Sequence, residues 1–109
     1  MAAMTTKIND FIAQFRQFGP DVVNCFSNGM CWYFTTILRE RFGEEYRVMY
    51  DPIINHFALE IEDRIYDING DITDDKQYKW RYWDEFIQED VMLAQRICCD
   101  CILKTKREV

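Results

Sequence analysis

The sequence predicts an α+β domain in which N-terminal helices pack on a small antiparallel sheet of three or more strands, closed by a C-terminal helix. Three observations predict it. Apolar residues recur at intervals of three and four from Thr5 to Phe18 and again from Met30 to Phe42. Three consecutive segments rich in β-branched and aromatic residues follow. Helical spacing then returns after Trp83. Strands grouped between helices, instead of alternating with them, point to a segregated α+β layout. At 109 residues the chain has the size of one domain, 1–109, and 49% hydrophobic residues provide material for one core.

The first helix is expected over Thr5 to Phe18, where Ile8, Phe11, Ile12, Phe15 and Phe18 form one face and Gly19-Pro20 ends the run. Asp21 to Gly29 reads as a loop, with Asn28-Gly29 as its turn signal. Met30, Phe34, Ile37, Leu38 and Phe42 set a second helix from Met30 to Phe42, ended by Gly43. Asn28 is its expected N-cap, which places Cys31 in the first turn. Tyr46 to Tyr50, Ile53 to Glu62 and Arg64 to Ile68 read as three strands. Asn69-Gly70-Asp71 breaks the pattern, and Tyr78 to Trp83 is aromatic and fits either type. Trp83 to Leu103 reads as mainly helical, with Phe86, Ile87, Leu93, Ala94 and Ile97 on one face.

Charge narrows the function classes. Thirteen basic and 19 acidic residues give a net charge of −6. An acidic balance repels phosphate backbones, and the basic residues form no stripe, so no nucleic-acid partner is expected. No stretch approaches the ~20 apolar residues that span a bilayer, and Met1 to Lys7 lacks the apolar core of a secretory signal. No membrane partner is expected, and the setting this suggests is cytoplasmic, with reduced thiols. Cys98-Cys99-Asp100-Cys101 lacks a second ligand pair at zinc spacing, and Asp71 to Asp75 lacks the calcium-loop pattern. No metal is expected.

One constellation carries chemistry. A thiol reacts as thiolate, and the unpaired N–H groups and positive dipole of a helix's first turn favour that anion at Cys31. His56 is the one histidine of the chain, and imidazole can take and return a proton near neutral pH. If Glu62-Asp63 is a two-residue hairpin loop, Ile61 pairs with Arg64, Leu59 with Tyr66 and Ala58 with Asp67. His56, Ala58 and Asp67 then project from one face, with His56 and Asp67 as diagonal neighbours. An odd-length loop would put Asp67 on the other face. With the even loop, Asp67 orients the imidazole, and Cys31, His56 and Asp67 make a nucleophile, a base and an orienter. Trp32, Trp80 and Trp83 are candidates to line a substrate groove, although aromatic clusters also seal small cores.

These residues resemble a known pattern. Gly29-Met30-Cys31-Trp32-Tyr33-Phe34 is similar to the sequence around the nucleophile of papain-like thiol proteases. His56 follows Cys31 by only 25 positions, and this compact order better resembles the transglutaminase-like branch of that superfamily. His56-Phe57-Ala58-Leu59-Glu60-Ile61 resembles its histidine strand, and Tyr66-Asp67-Ile68-Asn69-Gly70 its aspartate strand. Arylamine acetyltransferases carry a similar hairpin in much longer chains. The resemblance spans Asn28 to Asp71. It implies a cysteine-dependent hydrolase or acyltransferase of peptidase, amidase, deamidase or transglutaminase type. Such an enzyme works through a thioester and needs no cofactor. A domain this small has little surface for a deep cleft, which favours a protein or peptide as substrate or as binding partner. Papain-like enzymes complete their oxyanion hole with an upstream glutamine; Asn24, Asn28 and backbone N–H groups are the candidates here. The alternative is a small acidic interaction or inhibitor module that keeps the fold without the reaction.

Overall fold

The structure, a computed structural model, describes residues 2–27, 29–89, 91–92 and 95–97, with side chains from Met4 onward. Three helices come first: α1 (Ala2–Arg16), α2 (Pro20–Ser27) and α3 (Cys31–Phe42). Five strands follow: β1 (Arg47–Asp51), β2 (His56–Ile61), β3 (Arg64–Asp67), β4 (Gly70–Asp71) and β5 (Arg81–Tyr82). Helix α4 begins at Trp83–Glu89. All strand pairs are antiparallel and the sheet order is β4-β3-β2-β1-β5. The domain is therefore α+β, with N-terminal helices, a five-stranded antiparallel sheet and a short C-terminal helix.

The expected loop from Asp21 to Gly29 is largely a helix. Gly19-Pro20 ends α1, but Pro20 is also the first residue of α2 and Asp21 lies in its first turn. Proline at the first helical position forfeits only an N–H that has no partner there, and an acid beside it suits the positive helix end. A stop signal and a start signal share the same two residues. Phe18, expected on the buried face of α1, lies beyond its end and is 75% exposed.

Strand alternation builds two faces. On one, Leu59, Ile61 and Tyr66 pack with Ile8 and Ile12 of α1 and with Phe34 and Leu38 of α3. Phe57 and Tyr50 continue that layer into a second cluster with Cys31, Trp83, Phe86 and Ile97. On the other face Ala58, Met49 and Ile65 are covered by Ile72, Tyr78, Trp80 and Tyr82, from the chain between β3 and α4. Residues of period two thus feed two cores from one strand, as the pleat requires.

The hairpin that matters most has its expected loop. Glu62 and Asp63 have φ of 49° and 66°, both left-handed, as a two-residue type I′ turn requires. Ile61 pairs with Arg64 and Leu59 with Tyr66. The expected third rung, Ala58 with Asp67, is not among the pairs. The second strand starts at His56, because residues 52–55 form a turn. Helical residues continue from α4 through 91–92 and 95–97, and the rest of the expected run to Leu103 lies outside the described residues, as do Cys98, Cys99 and Cys101. Among the described residues no helix is long and apolar enough to cross a membrane.

Candidate functional site

Cys31 is the first residue of α3. The cap is Met30, with no side-chain cap bond, so the expected cap at Asn28 is displaced; Asn28 itself lies outside the described residues. Thr35 Oγ1 donates to the Cys31 carbonyl at 2.8 Å, tying this turn to the next. The backbone N–H of Trp32, in the first turn of the helix, and that of Phe57 in β2 both act to favour the Cys31 thiolate. The β2–β3 pairs run only from Ile61 to Leu59, leaving Phe57 beyond them. The sulfur therefore meets the start of β2 where that pairing has ended.

His56 opens β2 and hydrogen-bonds Cys31. Its Nε2 lies 2.8 Å from Asp67 Oδ2. An ionised carboxylate can only accept, so Nε2 carries the hydrogen and Nδ1 is the nitrogen left for the thiol. Asp67 Oδ1 accepts the Asn69 N–H at 2.7 Å, which fixes the carboxylate from its other side. Cys31, His56 and Asp67 are 4%, 7% and 2% exposed. The relay is dry.

Electrostatics follow from that geometry. Burial pushes the Cys31 thiol up, but the hydrogen bond to His56, the Phe57 N–H, the imidazolium charge and the Trp32 N–H together hold it below its usual value. Burial alone would lower His56. The Asp67 hydrogen bond, then the hydrogen bond and charge of Cys31, then the charge of Asp67 reverse this and raise it from 6.5 to about 9. Each partner's charged form stabilises the other's, so the pair of shifts runs in the direction that favours thiolate and imidazolium together.

The rim is aromatic. Tyr78 stacks on the His56 ring at 5.6 Å and 21°, and Trp80 lies 6.0 Å from it, itself stacked on Tyr78 at 4.7 Å. The Trp80 indole N–H is buried without a hydrogen-bond partner, an arrangement that costs about 1–3 kcal/mol. Trp32 meets Phe57 and Trp83 edge-on at 4.9 and 5.9 Å. Trp83 itself is buried among Tyr50, Phe57 and Phe86 and serves the core, not a groove. Asn24 is exposed on α2 and is not among the groups that act on the Cys31 sulfur.

Sequence reasoning missed Asp51 and Tyr78. Asp51 is fully buried, and it is the cross-strand partner of His56. Its signal was available: Asp followed by Pro reads as an Asx turn, in which the carboxylate accepts N–H groups two residues on. Tyr78 had no local signal, since only the return of the chain over β2 brings it to His56.

Fold and site together define a small α+β domain with a buried cysteine, histidine and aspartate side by side between the first turn of a helix and a β-hairpin. A family model described as Phage YunG-like protein matches residues 7–95, and the chain belongs to that family. No curated protein and no solved structure matches it.

Proposed function

We propose that this domain is a cysteine-dependent hydrolase or acyltransferase with Cys31 as nucleophile, His56 as general base and then acid, and Asp67 as orienter. The carrying observation is the contact of three side chains from α3, β2 and β3 in one buried hydrogen-bonded line. In the reaction the thiolate adds to an amide or ester carbonyl, and the tetrahedral adduct collapses as imidazolium gives its proton to the leaving group. Water or an amine, deprotonated by His56, then releases the acyl group from the thioester. Backbone N–H groups at the start of α3 supply the oxyanion donors in this reading. The transglutaminase-like resemblance supports the same assignment, and no cofactor enters it. A protein or peptide substrate fits a domain with little surface to spare for a deep cleft.

Incubation of the protein with peptide thioesters or activated acyl esters, followed by intact mass measurement at low pH, tests this. A Cys31 acyl adduct, absent from Cys31→Ala, is the expected result. No adduct with any acyl donor at pH 7–8 would remove the catalytic reading. One observation favours the alternative, a non-catalytic interaction module: the Cys31 side chain is almost fully covered. A module retains its partner at equal affinity in Cys31→Ala, and the partner is recovered unmodified.

A further inference from the structure

We infer that Asp51 is a positioning residue for His56: its buried carboxylate clasps the turn that precedes His56 and the aromatic segment that covers it, and so holds the imidazole between Cys31 and Asp67. The inference rests on the proposed reading of those three residues as a reaction centre.

The geometry is specific. Asp51 ends β1 directly across the ladder from His56. Its Oδ1 accepts the N–H of Ile53 at 2.8 Å and, more weakly, that of Ile54 at 3.4 Å. Its Oδ2 accepts the N–H of Lys79 at 2.8 Å. One carboxylate thus fastens two segments that are far apart in sequence. The first, residues 52–55, runs into His56, and Asn55 adopts a left-handed φ of 55° with its Oδ1 accepting from the Tyr50 hydroxyl at 2.8 Å. The second carries Tyr78 and Trp80 on either side of the clasped Lys79, and both rings lie against His56. The orphaned Trp80 N–H is informative here. A free segment would turn that donor to water, so something else must hold it in place, and the Lys79 bond to a fully buried carboxylate does so.

The direction of the effect follows from the groups that face His56. These are Cys31 from α3, Asp67 from β3, Asp51 from β1 across the ladder, and Tyr78 from the segment between β4 and β5. Burial lowers His56, while its bonds and charges with Asp67 and Cys31 raise it, and the second set prevails. Opening the cover admits water and weakens both sets, so the imidazole returns toward 6.5, which is downward.

His56 is the one histidine in the chain, so its ring titration in the full-length labelled protein is followed by NMR without ambiguity. Asp51→Asn keeps one acceptor oxygen and replaces the other by a donor that opposes an N–H. It is expected to raise the His56 acid dissociation constant at least about tenfold and to speed exchange of the Nε2 hydrogen with water. Tyr78→Leu with Trp80→Leu, which leaves Asp51 intact, should produce the same change. Adding Asp51→Asn to that pair should then move the titration less than about twofold, because the clasp no longer has a cover to hold. A folded Asp51→Asn protein with unmoved titration, or full additivity with the ring substitutions, would overturn the inference. If Asp51→Asn does not fold, the ring variant decides: an unchanged His56 without its cover overturns the proposal. A wild-type chain that forms no acyl adduct removes the catalytic reading but leaves this titration to judge Asp51 alone.

Discussion

Asp67→Asn probes the site at its least exposed member. The change keeps the shape and one acceptor oxygen, but it removes the charge that accepts the His56 Nε2 hydrogen at 2.8 Å. Hydrogen bonds to charged groups contribute about 1.5–3 kcal/mol net, which is a factor of roughly 10–100. His56 should fall from about 9 toward 6.5 by that factor. The consequence passes to Cys31, whose largest single stabilisation against burial is the interaction with His56. The Cys31 thiolate fraction should drop in turn, by at most that factor. The assay is the rate of Cys31 alkylation by iodoacetamide between pH 5 and 10, with Cys25, Cys98, Cys99 and Cys101 replaced by serine so that one thiol remains. The wild-type profile should rise at a lower pH than that of a free thiol and change again as His56 deprotonates near 9. In the variant the thiol limb should move up in pH. A variant profile within twofold of wild type, with the fold intact, would refute the argument that Asp67 charges the pair.

Two further outcomes follow from the same contacts. His56→Ala leaves the Asp67 carboxylate, 2% exposed, without its partner, and should destabilise the domain by roughly 3 kcal/mol near neutral pH. The folded His56 value lies above its unfolded one, so its stabilisation is fully present below 6.5 and is lost as pH rises through about 9. The denaturant-midpoint gap between wild type and His56→Ala should therefore narrow from pH 7 to pH 10; a constant gap would contradict it. At the β2–β3 loop, Glu62→Asn with Asp63→Gly places in two left-handed positions the residues that tolerate them. That pair should stabilise the domain by about 1 kcal/mol, read as a higher melting temperature with activity unchanged.

How far the molecule was legible depends on where each signal sits along the chain. Elements whose period and punctuation lie within a dozen residues were readable. Ile8 and Ile12, Phe34 and Leu38 lie on their expected buried faces, and parity through a two-residue loop places His56 and Asp67 on one face. The 52–55 turn was lost inside an apolar run, because Ile53 and Ile54 look like strand residues yet are 74% and 50% exposed. Helix α2 was lost because Gly19-Pro20 punctuates in both directions. The short strands β4 and β5, two residues each, carry no period of their own and exist only as partners of β3 and β1. Tyr78, Trp80 and Asp51 belong to the surroundings of His56 through long-range closure, which a local pattern does not encode. Trp83 had the right chemistry for a groove but the wrong side: as first residue of α4 it turns into the cluster beneath Cys31.

The site also argues from what it does not supply. A buried ion pair with its orienting carboxylate is a poor stabilising device, since desolvation offsets most of its attraction, and well-packed apolar side chains of similar volume often do as well or better. Cys31 lies in a cluster with Phe57, Tyr50 and Trp83, and the His56 ring lies against Tyr78 and Trp80, so apolar replacements meet apolar and aromatic neighbours. Cys31→Val, His56→Leu and Asp67→Leu together remove all three polar groups, so no charge among them is stranded, and the Asn69 N–H is the backbone donor that loses its Asp67 acceptor. If the relay exists for chemistry, this chain should unfold at the same or higher denaturant concentration, by up to about 1–4 kcal/mol, while Cys31-directed acylation disappears. Each single replacement of His56 or Asp67 should be the less stable protein, because it strands a charge that the triple change removes. A triple variant markedly less stable than wild type would assign the three residues to holding the start of β2 against α3, and would leave the thiolate as a by-product of that packing.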